Sequence, residues 1–523
     1  MFHAPRISLG RRLRPGRSVS RRLALGMIAL AAVAIIPASR AGAAGLPPQM
    51  WERIRKLEPA RIELTPTASP QAPAELSLKQ CMDLAVRHSA AFRQAQAALV
   101  GARQGLWVND QRLFYGLTGS TRREHPANGE TANQLSAGAT ARWERLGGDA
   151  LALDVGTGSR TSFGDLINGQ PSLGIAYDRP LLRGAGLASS TWERVRSARV
   201  QLLGESLSYY DAHQELGVQV IESYYRVLVA QGEMEIAGRA ADRAKQLYDI
   251  NSAKFTGEGV SVPGEKWVTQ VTELDMSQAR LSWEQAKQSV ISRQQAFRDA
   301  LDTLLLTMGL LPGATPKLTS TVQYQPQEFN QAELAKVAVA NSTELAGFDL
   351  ARQDALAQRH IAQSENRPDL IASVGMTDNG DTLGAGNGGS GWFAGLRVEI
   401  PLADRRREEG KGTAERALQV LEQRTTSAGD RVTQTVQRLV RAAESAKARI
   451  TIGEQAVLLA QKNREQAQGM YDEGLSDYLR VFDADNRLVE TERSLLQEKV
   501  GYYLTTVRLR VALGEDITQG LPE

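Results

Sequence analysis

Cysteine is almost missing from this chain of 523 residues: Cys81 is the only one, so no intrachain disulfide can form. It lies far beyond the export signal described below, which rules out a lipid-anchor cysteine, and an Ala-rich helical stretch around it suits a small buried residue. Histidine is also scarce. His3 lies in the leader, and His88, His125, His213 and His360 stand far apart without an HxxxH or HExxH spacing, so no metal site is expected. No compact set of nucleophile, base and ligands marks an enzyme, and no cofactor is expected. Gly384, Gly386 and Gly389 fit GxGxxG, but they sit in a turn between strands with no helix to follow, as a flexible turn would. The serine of GGSGW lacks the last glycine of a nucleophile elbow. The apolar run Leu23 to Ile36 is too short to span a bilayer as a helix.

That run belongs to a leader. Eight arginines and no acid lie before residue 44, and the segment ends in Ala41-Gly42-Ala43, a small-x-small cleavage pattern. A signal peptide is expected over residues 1–43, and Arg21-Arg22 after Ser20 gives it a loose likeness to a twin-arginine signal. Without those arginines the chain holds 54 basic and 59 acidic residues, a net of −5, so the pI near 8.8 belongs to the leader. Nucleic acid is therefore not an expected partner. Residues 44–75 are rich in proline and small polar residues, as in an extended segment on the surface of something else.

The remainder is organised around SLGIAYDRPLLRGAG, residues 172–186, where an alternating strand meets Pro180 and a very long helical pattern begins. The run AGLRVEIPLADRRREEG, residues 394–410, repeats the layout around Pro401. Proline gives no N–H to a sheet ladder, and its fixed φ suits the first turn of a helix, so the change of period falls there. Two halves follow. The first, 76–315, reads as a helix, strands within about 111–182, a long helix over about 187–255 and a helix over about 266–308. The second, 316–515, reads as a helix from Gln331, strands over about 368–402, a long helix over about 404–470 and a helix over about 479–513, before a tail at 516–523. ValAlaAsnSer at 339–342 stands in the place of ValArgHisSer at 86–89, which supports one architecture duplicated.

LFYGLTGS, QLSAGATARWERL, LALDVGTGS and SLGIAYDRPL read as up to four strands, among them Phe114, Tyr115, Trp143 and Tyr177. Two readings are open: a small water-soluble sheet with aromatics in its core, or a membrane barrel wall with interfacial aromatics. The second long helix has a seam at Val432, Val436, Leu439, Ala443, Ala446, Ile450, Gly453, Val457 and Ala460, alternating steps of four and three, which predicts side-by-side packing. Gly259 and Gly474 sit where the long helices end farthest from the strands, each after a glutamate, and can reverse the chain. An acidic cluster follows the second (Asp472, Glu473, Asp477, Asp483, Asp485) and reads as a solvated tip, or, in a symmetric ring, as a charged constriction.

LSLKQCMDLAVRHSAAFRQAQAAL, PLLRGAG, RPDL, VEIPLADRR, KFTGEG, MYDEGL and DADNRLVETERSLL, in this order and partly in duplicate, resemble the TolC family of outer membrane channel proteins from about Leu76 to Glu515. The resemblance implies an α+β membrane protein: a homotrimer in which each chain gives four strands to one twelve-stranded β-barrel, continuous with an α-helical periplasmic barrel. It implies the exit duct of a tripartite efflux pump or a type I secretion system in a Gram-negative outer membrane. The partners would be outer membrane lipid, a periplasmic adaptor protein and an inner membrane pump of RND or ABC type. By the same resemblance, Gly259, Val260, Gly474 and Leu475 would be adaptor-docking tips. Asp483 matches a family position that forms an aspartate ring at the pore entrance, whereas the neighbouring ring position is Arg480 here, within reach of Asp477 or Asp483. Pro180 and Pro401 would mark the boundary between membrane and periplasm, with Arg183 and Arg405 to Arg407 beside lipid headgroups. The first half departs from the family in extra strand-like sequence between residues 130 and 160 and in an insertion, VPGEK, after its tip. The competing reading is an exported coiled-coil scaffold or adhesive protein without a pore, and a third is a periplasmic enzyme.

Overall fold

The computed structural model describes residues 73–124, 132–159, 170–256, 272–320, 324–379, 389–400, 405–473 and 475–517. Helix α1 (Leu78–His88) starts at a capping box: Ser77 Oγ accepts from the Gln80 amide at 3.3 Å, and Gln80 Oε1 accepts from the Ser77 amide at 3.0 Å. The single first helix expected from the pattern is divided at Ser89, whose backbone is extended (φ −61°, ψ 125°), and resumes as α2 (Ala90–Asn109). The second half does the same. There α5 (Gln331–Asn341) and α6 (Thr343–Glu365) part at Ser342 (φ −65°, ψ 123°), whose hydroxyl caps α6 by accepting from the Leu345 amide at 3.3 Å. The aligned serines of the two halves thus mark the same break twice.

The long helices are α3 (Ser190–Thr256, 67 residues) and α7 (Arg405–Asp472, 68 residues). At 1.5 Å per residue each runs roughly 100 Å. The shorter α4 (Glu273–Thr307) and α8 (Tyr478–Ala512) pack against α3 and α7 respectively. Neighbours order the helices into one layer. Beside the strands the sequence of packing is α2, α3, α6, α7; toward the other end it is α4, α3, α8, α7. A short parallel pair, β1 (Glu75–Leu76) with β6 (Lys317–Leu318), ties the start of the first half to the start of the second.

The seam of α7 is where the spacing predicts it, with one shift. Val436, Ala443, Ala446 and Ile450 are buried, but Val440 takes the fully buried place and Leu439 only borders it. Burying one such aliphatic side chain contributes roughly 1.5–3 kcal/mol. At Gly453 an added Cβ would come within 3.2 Å of Leu495 on α8, so the glycine sets the closeness of the two helices. The largest core joins α1, α2, α3, α4 and α8 around Tyr224, Ile221, Leu301, Leu304 and Met308. Cys81 is fully buried in it, and burial pushes its thiol up to about 12, so the lone cysteine is an inert core residue.

Among the described residues, all other strands form one antiparallel sheet in the order β2 (Leu113–Glu124), β3 (Ala132–Glu144), β4 (Ala150–Ser159), β5 (Gln170–Pro180), β7 (Asp369–Asn379), β8 (Gly389–Glu399). This is six strands, not the four per chain that the family resemblance implies. The difference is the hairpin β3–β4, which falls on the extra strand-like sequence of the first half and is paired on both sides, to β2 and to β5. Among the described residues no helix is long and apolar enough to cross a membrane.

Candidate functional site

Because successive strand residues point to opposite faces, the register sorts every side chain of the sheet. One row of paired residues across all six strands is Leu113, Trp143, Leu151, Tyr177, Val374 and Ala394; the next on that face is Tyr115, Ala141, Leu153, Ile175, Met376 and Trp392. The intervening row on the other face is Phe114, Arg142, Ala152, Ala176, Gly375 and Phe393, followed by Gly116, Thr140, Asp154, Gly174, Thr377 and Gly391. One face is therefore apolar from edge to edge, and the other, apart from Phe114, Arg142 and Phe393, is small or polar. The apolar face is bare: Tyr115 and Trp392 are each 81% exposed and Leu117 is 89% exposed. A soluble sheet would cover such a face with its own core. Apolar-out, polar-in alternation with aromatics, on strands of 10–13 residues, is instead the pattern of a membrane barrel wall.

The polar face is held by its own contacts. Ser120 and Ser136 share a hydroxyl hydrogen bond at 2.7 Å, and Ser373 Oγ donates to Asp178 Oδ1 at 2.6 Å. The Phe393 ring occupies the space that a side chain at Gly375 would need: an added Cβ would meet it at 2.4 Å.

At the helix-side end the strands are bolted to α3. Pro180 closes β5, opposite Ile371, and does not open the helix: α3 starts only at Ser190, after residues 181–189 with Gly184 and Gly186 at positive φ. The Ser189 hydroxyl donates to the Leu146 carbonyl at 2.5 Å and accepts from the Trp192 amide at 3.1 Å, so it caps the helix and holds the β3–β4 turn together. In that turn Gly148 has φ +92° and lies so near the chain that a Cβ would sit 2.7 Å from the Gly184 carbonyl. Arg183 is not left for headgroups: it binds Asp369 at 2.6 Å, with Glu399 at 3.9 Å, which ties the end of β5 to β7 and β8. Pro401 lies outside the described residues. Arg405 is exposed, and Arg407 donates to the Glu365 carbonyl at 3.3 Å.

At the far end of the helices Gly259, Val260 and Gly474 lie outside the described residues. Leu475 is 69% exposed, and its amide reaches back to the Met470 carbonyl at 2.7 Å, the six-to-one bond that closes a helix. Asp477 is the N-cap of α8 and accepts from the backbone amide of Arg480 at 3.3 Å. This is its contact with Arg480; among the described residues the guanidinium pairs with neither Asp477 nor Asp483. Arg480 and Asp483 are both exposed and three residues apart on one helix face.

Asp485, which the sequence groups with the solvated acids, turns inward. It pairs with Arg243 of α3 and lies 3.9 Å from Arg464 of α7, all three largely sheltered. The partners come from three helices, and burial of the set depends on packing that no single helix pattern reveals. Tyrosines reinforce the same level: Tyr471 donates to Asn251, Lys254 lies 4.5 Å from the Tyr471 ring centre, and Tyr478 bonds with Ser282. Burial pushes the Tyr471 hydroxyl up to about 12, so it stays a donor at ordinary pH.

Comparison with known proteins agrees with this construction. Residues 334–515 match the family described as outer membrane efflux protein. Over 354 residues, 59% of this chain and 68% of the relative, the sequence is 25% identical to the solvent efflux pump outer membrane protein SrpC of Pseudomonas putida. The fold superposes on the outer membrane protein VceC of Vibrio cholerae with a TM-score of 0.62 at 18% identity, covering 84% of this chain and 96% of that one. It superposes on the open state of the MtrE outer membrane channel of Neisseria gonorrhoeae with a TM-score of 0.61 at 14% identity, covering 85% and 91%. The chain thus has the fold of the outer membrane channel proteins over most of its length, and its second half is similar in sequence to the outer membrane efflux protein family.

Proposed function

We propose that this protein is the outer membrane exit duct of a tripartite efflux pump or type I secretion system, working as a homotrimer. The observation that carries the reading is the two-faced sheet. An apolar face exposed on six strands fits outer membrane lipid, and a small, polar inner face fits a water-filled lumen. Sheet edges open to lipid are not tolerated, so one chain cannot serve alone and copies must close the wall. Helices of roughly 100 Å that leave the strands on one side would reach deep into the periplasm. Passage would be passive, with energy supplied by an inner membrane pump of RND or ABC type through a periplasmic adaptor. Pro180 and Pro401 would mark the membrane boundary. Gly259, Val260, Gly474 and Leu475 would be the docking tips, and Asp477, Arg480 and Asp483 would line the entrance.

The test is fractionation. A heat-modifiable, trimer-sized band from the outer membrane fraction is expected, together with export that depends on a co-expressed adaptor and pump. Recovery as a soluble periplasmic monomer would defeat the proposal in favour of an exported coiled-coil scaffold.

A further inference from the structure

We infer that the hairpin β3–β4 is part of the membrane wall, so that the trimer proposed above closes a barrel of eighteen strands, six from each copy, instead of twelve. The inference rests on the trimeric channel reading and adds to it the composition and width of the wall.

Three observations carry it. The hairpin is not an appendage, because β3 is hydrogen-bonded to β2 and β4 to β5 along their lengths, and in this register β2 joins the sheet through β3 while β5 is paired on its other side to β7. It also continues both faces of the sheet: Trp143, Leu153 and Val155 extend the apolar face, while Thr140, Ala152 and Asp154 extend the small, polar one. A hairpin folded into the lumen or lying above the membrane would have no use for that match. Finally, its turn is fastened to α3 through Ser189 and Leu146, at the level where the other strands join their helices.

The edges and the widths agree. The sheet is antiparallel throughout with an even number of strands, so β8 of one copy runs antiparallel to β2 of the next, and the apolar face continues across the joint through Leu113 and Leu117 on one side and Leu396 on the other. Strands about 4.8 Å apart and tilted by about 40° each take up about 6 Å of circumference, so six span about 38 Å and four about 25 Å. The four helices of the layer beside the strands, packed 8–10 Å apart, span roughly 32–40 Å. Six strands therefore match the width of the helical layer of the same chain. A barrel of eighteen strands is about one and a half times as wide as one of twelve.

The test uses the full-length protein in lipid vesicles on a Cys81→Ala background, with single substitutions Ala152→Cys, Leu153→Cys, Asp154→Cys and Val155→Cys. Only heat-modifiable oligomer is scored, and Ala139→Cys and Thr140→Cys ask the same question on β3 if a β4 variant fails to assemble. A water-soluble maleimide should label positions 152 and 154 about tenfold faster than 153 and 155, and brominated lipid should quench a fluorophore only at 153 and 155. Native mass should give three copies. Equal labelling from water at all four positions would overturn the inference while leaving the channel reading in place, and a copy number other than three would overturn the count of eighteen. Absence of membrane insertion would instead defeat the channel reading itself.

Discussion

Glu144, the last residue of β3, accepts a hydrogen bond from the Arg194 guanidinium of α3 at 3.2 Å, and Thr191 Oγ1 donates to the same carboxylate oxygen at 3.0 Å. Arg194 in turn lies over the Phe114 ring at 5.3 Å, so one contact joins the hairpin, the first strand and the long helix. Because Arg194 is about a third exposed, solvent screening weakens the pair, and its loss should cost about 1 kcal/mol. Glu144→Ala should lower the temperature at which the oligomer dissociates in a heat-modifiability assay, and Glu144→Gln, which still accepts from Thr191, should lower it less. Equal dissociation temperatures in all three proteins would show that the hairpin is not held to the helix here.

The inward-turned Asp485 predicts a larger effect in the helices. Asp485→Asn would leave Arg243 and Arg464 without a carboxylate in a sheltered site, at a cost of about 2 kcal/mol. Limited proteolysis should then cut faster near the far ends of α3 and α7. Asp483→Asn, at an exposed position, should leave the digestion pattern unchanged.

His213 gives a pH dependence with a defined sign. It is buried against Phe92, ring centres 5.8 Å apart, and burial holds its pKa below the usual imidazole range against a smaller opposing pull from Asp516. In the window between the folded value and the ordinary value of about 6.5 the unfolded chain binds the extra proton, so stability rises with pH through that window and is lost on acidification. Asp211 acts in the opposite sense, because burial raises its pKa and stability falls as pH rises past the ordinary carboxylate range. Melting curves from pH 7.5 to 5 should therefore fall more steeply for the parent than for His213→Gln, with Asp211 common to both. Parallel curves would contradict the assignment.

Arg480 stands where the family resemblance leads one to expect a second acid. If Arg480 and Asp483 face the entrance, Arg480→Asp should raise the preference for cations over anions in reversal-potential measurements. An unchanged preference and unchanged leak would remove both residues from the entrance.

Much of the architecture was legible because it is periodic. The two long helices and the doubled ValXxxXxxSer break are local patterns, and the chain obeys them, the break falling at Ser89 and Ser342. What was not legible is non-local. Alternation in LALDVGTGS predicts a strand but does not say whether Leu153 and Val155 meet a core or lipid, and strand number follows only from which edges pair. The φ of Pro180 suits a helix start, but the glycines at 184 and 186 let the chain turn first, and the strand keeps the proline. Asp485 looked like its solvated neighbours because its burial comes from arginines on two other helices, at sequence distances that no helical repeat relates.

The most direct measurement of the central claim is the ion conductance of the purified, full-length protein in a planar bilayer. A water-filled pore walled by the small, polar face predicts stepwise unitary currents that scale with bulk salt. A protein that adds no current to the bilayer, and that stays monomeric and soluble without detergent, would contradict the account.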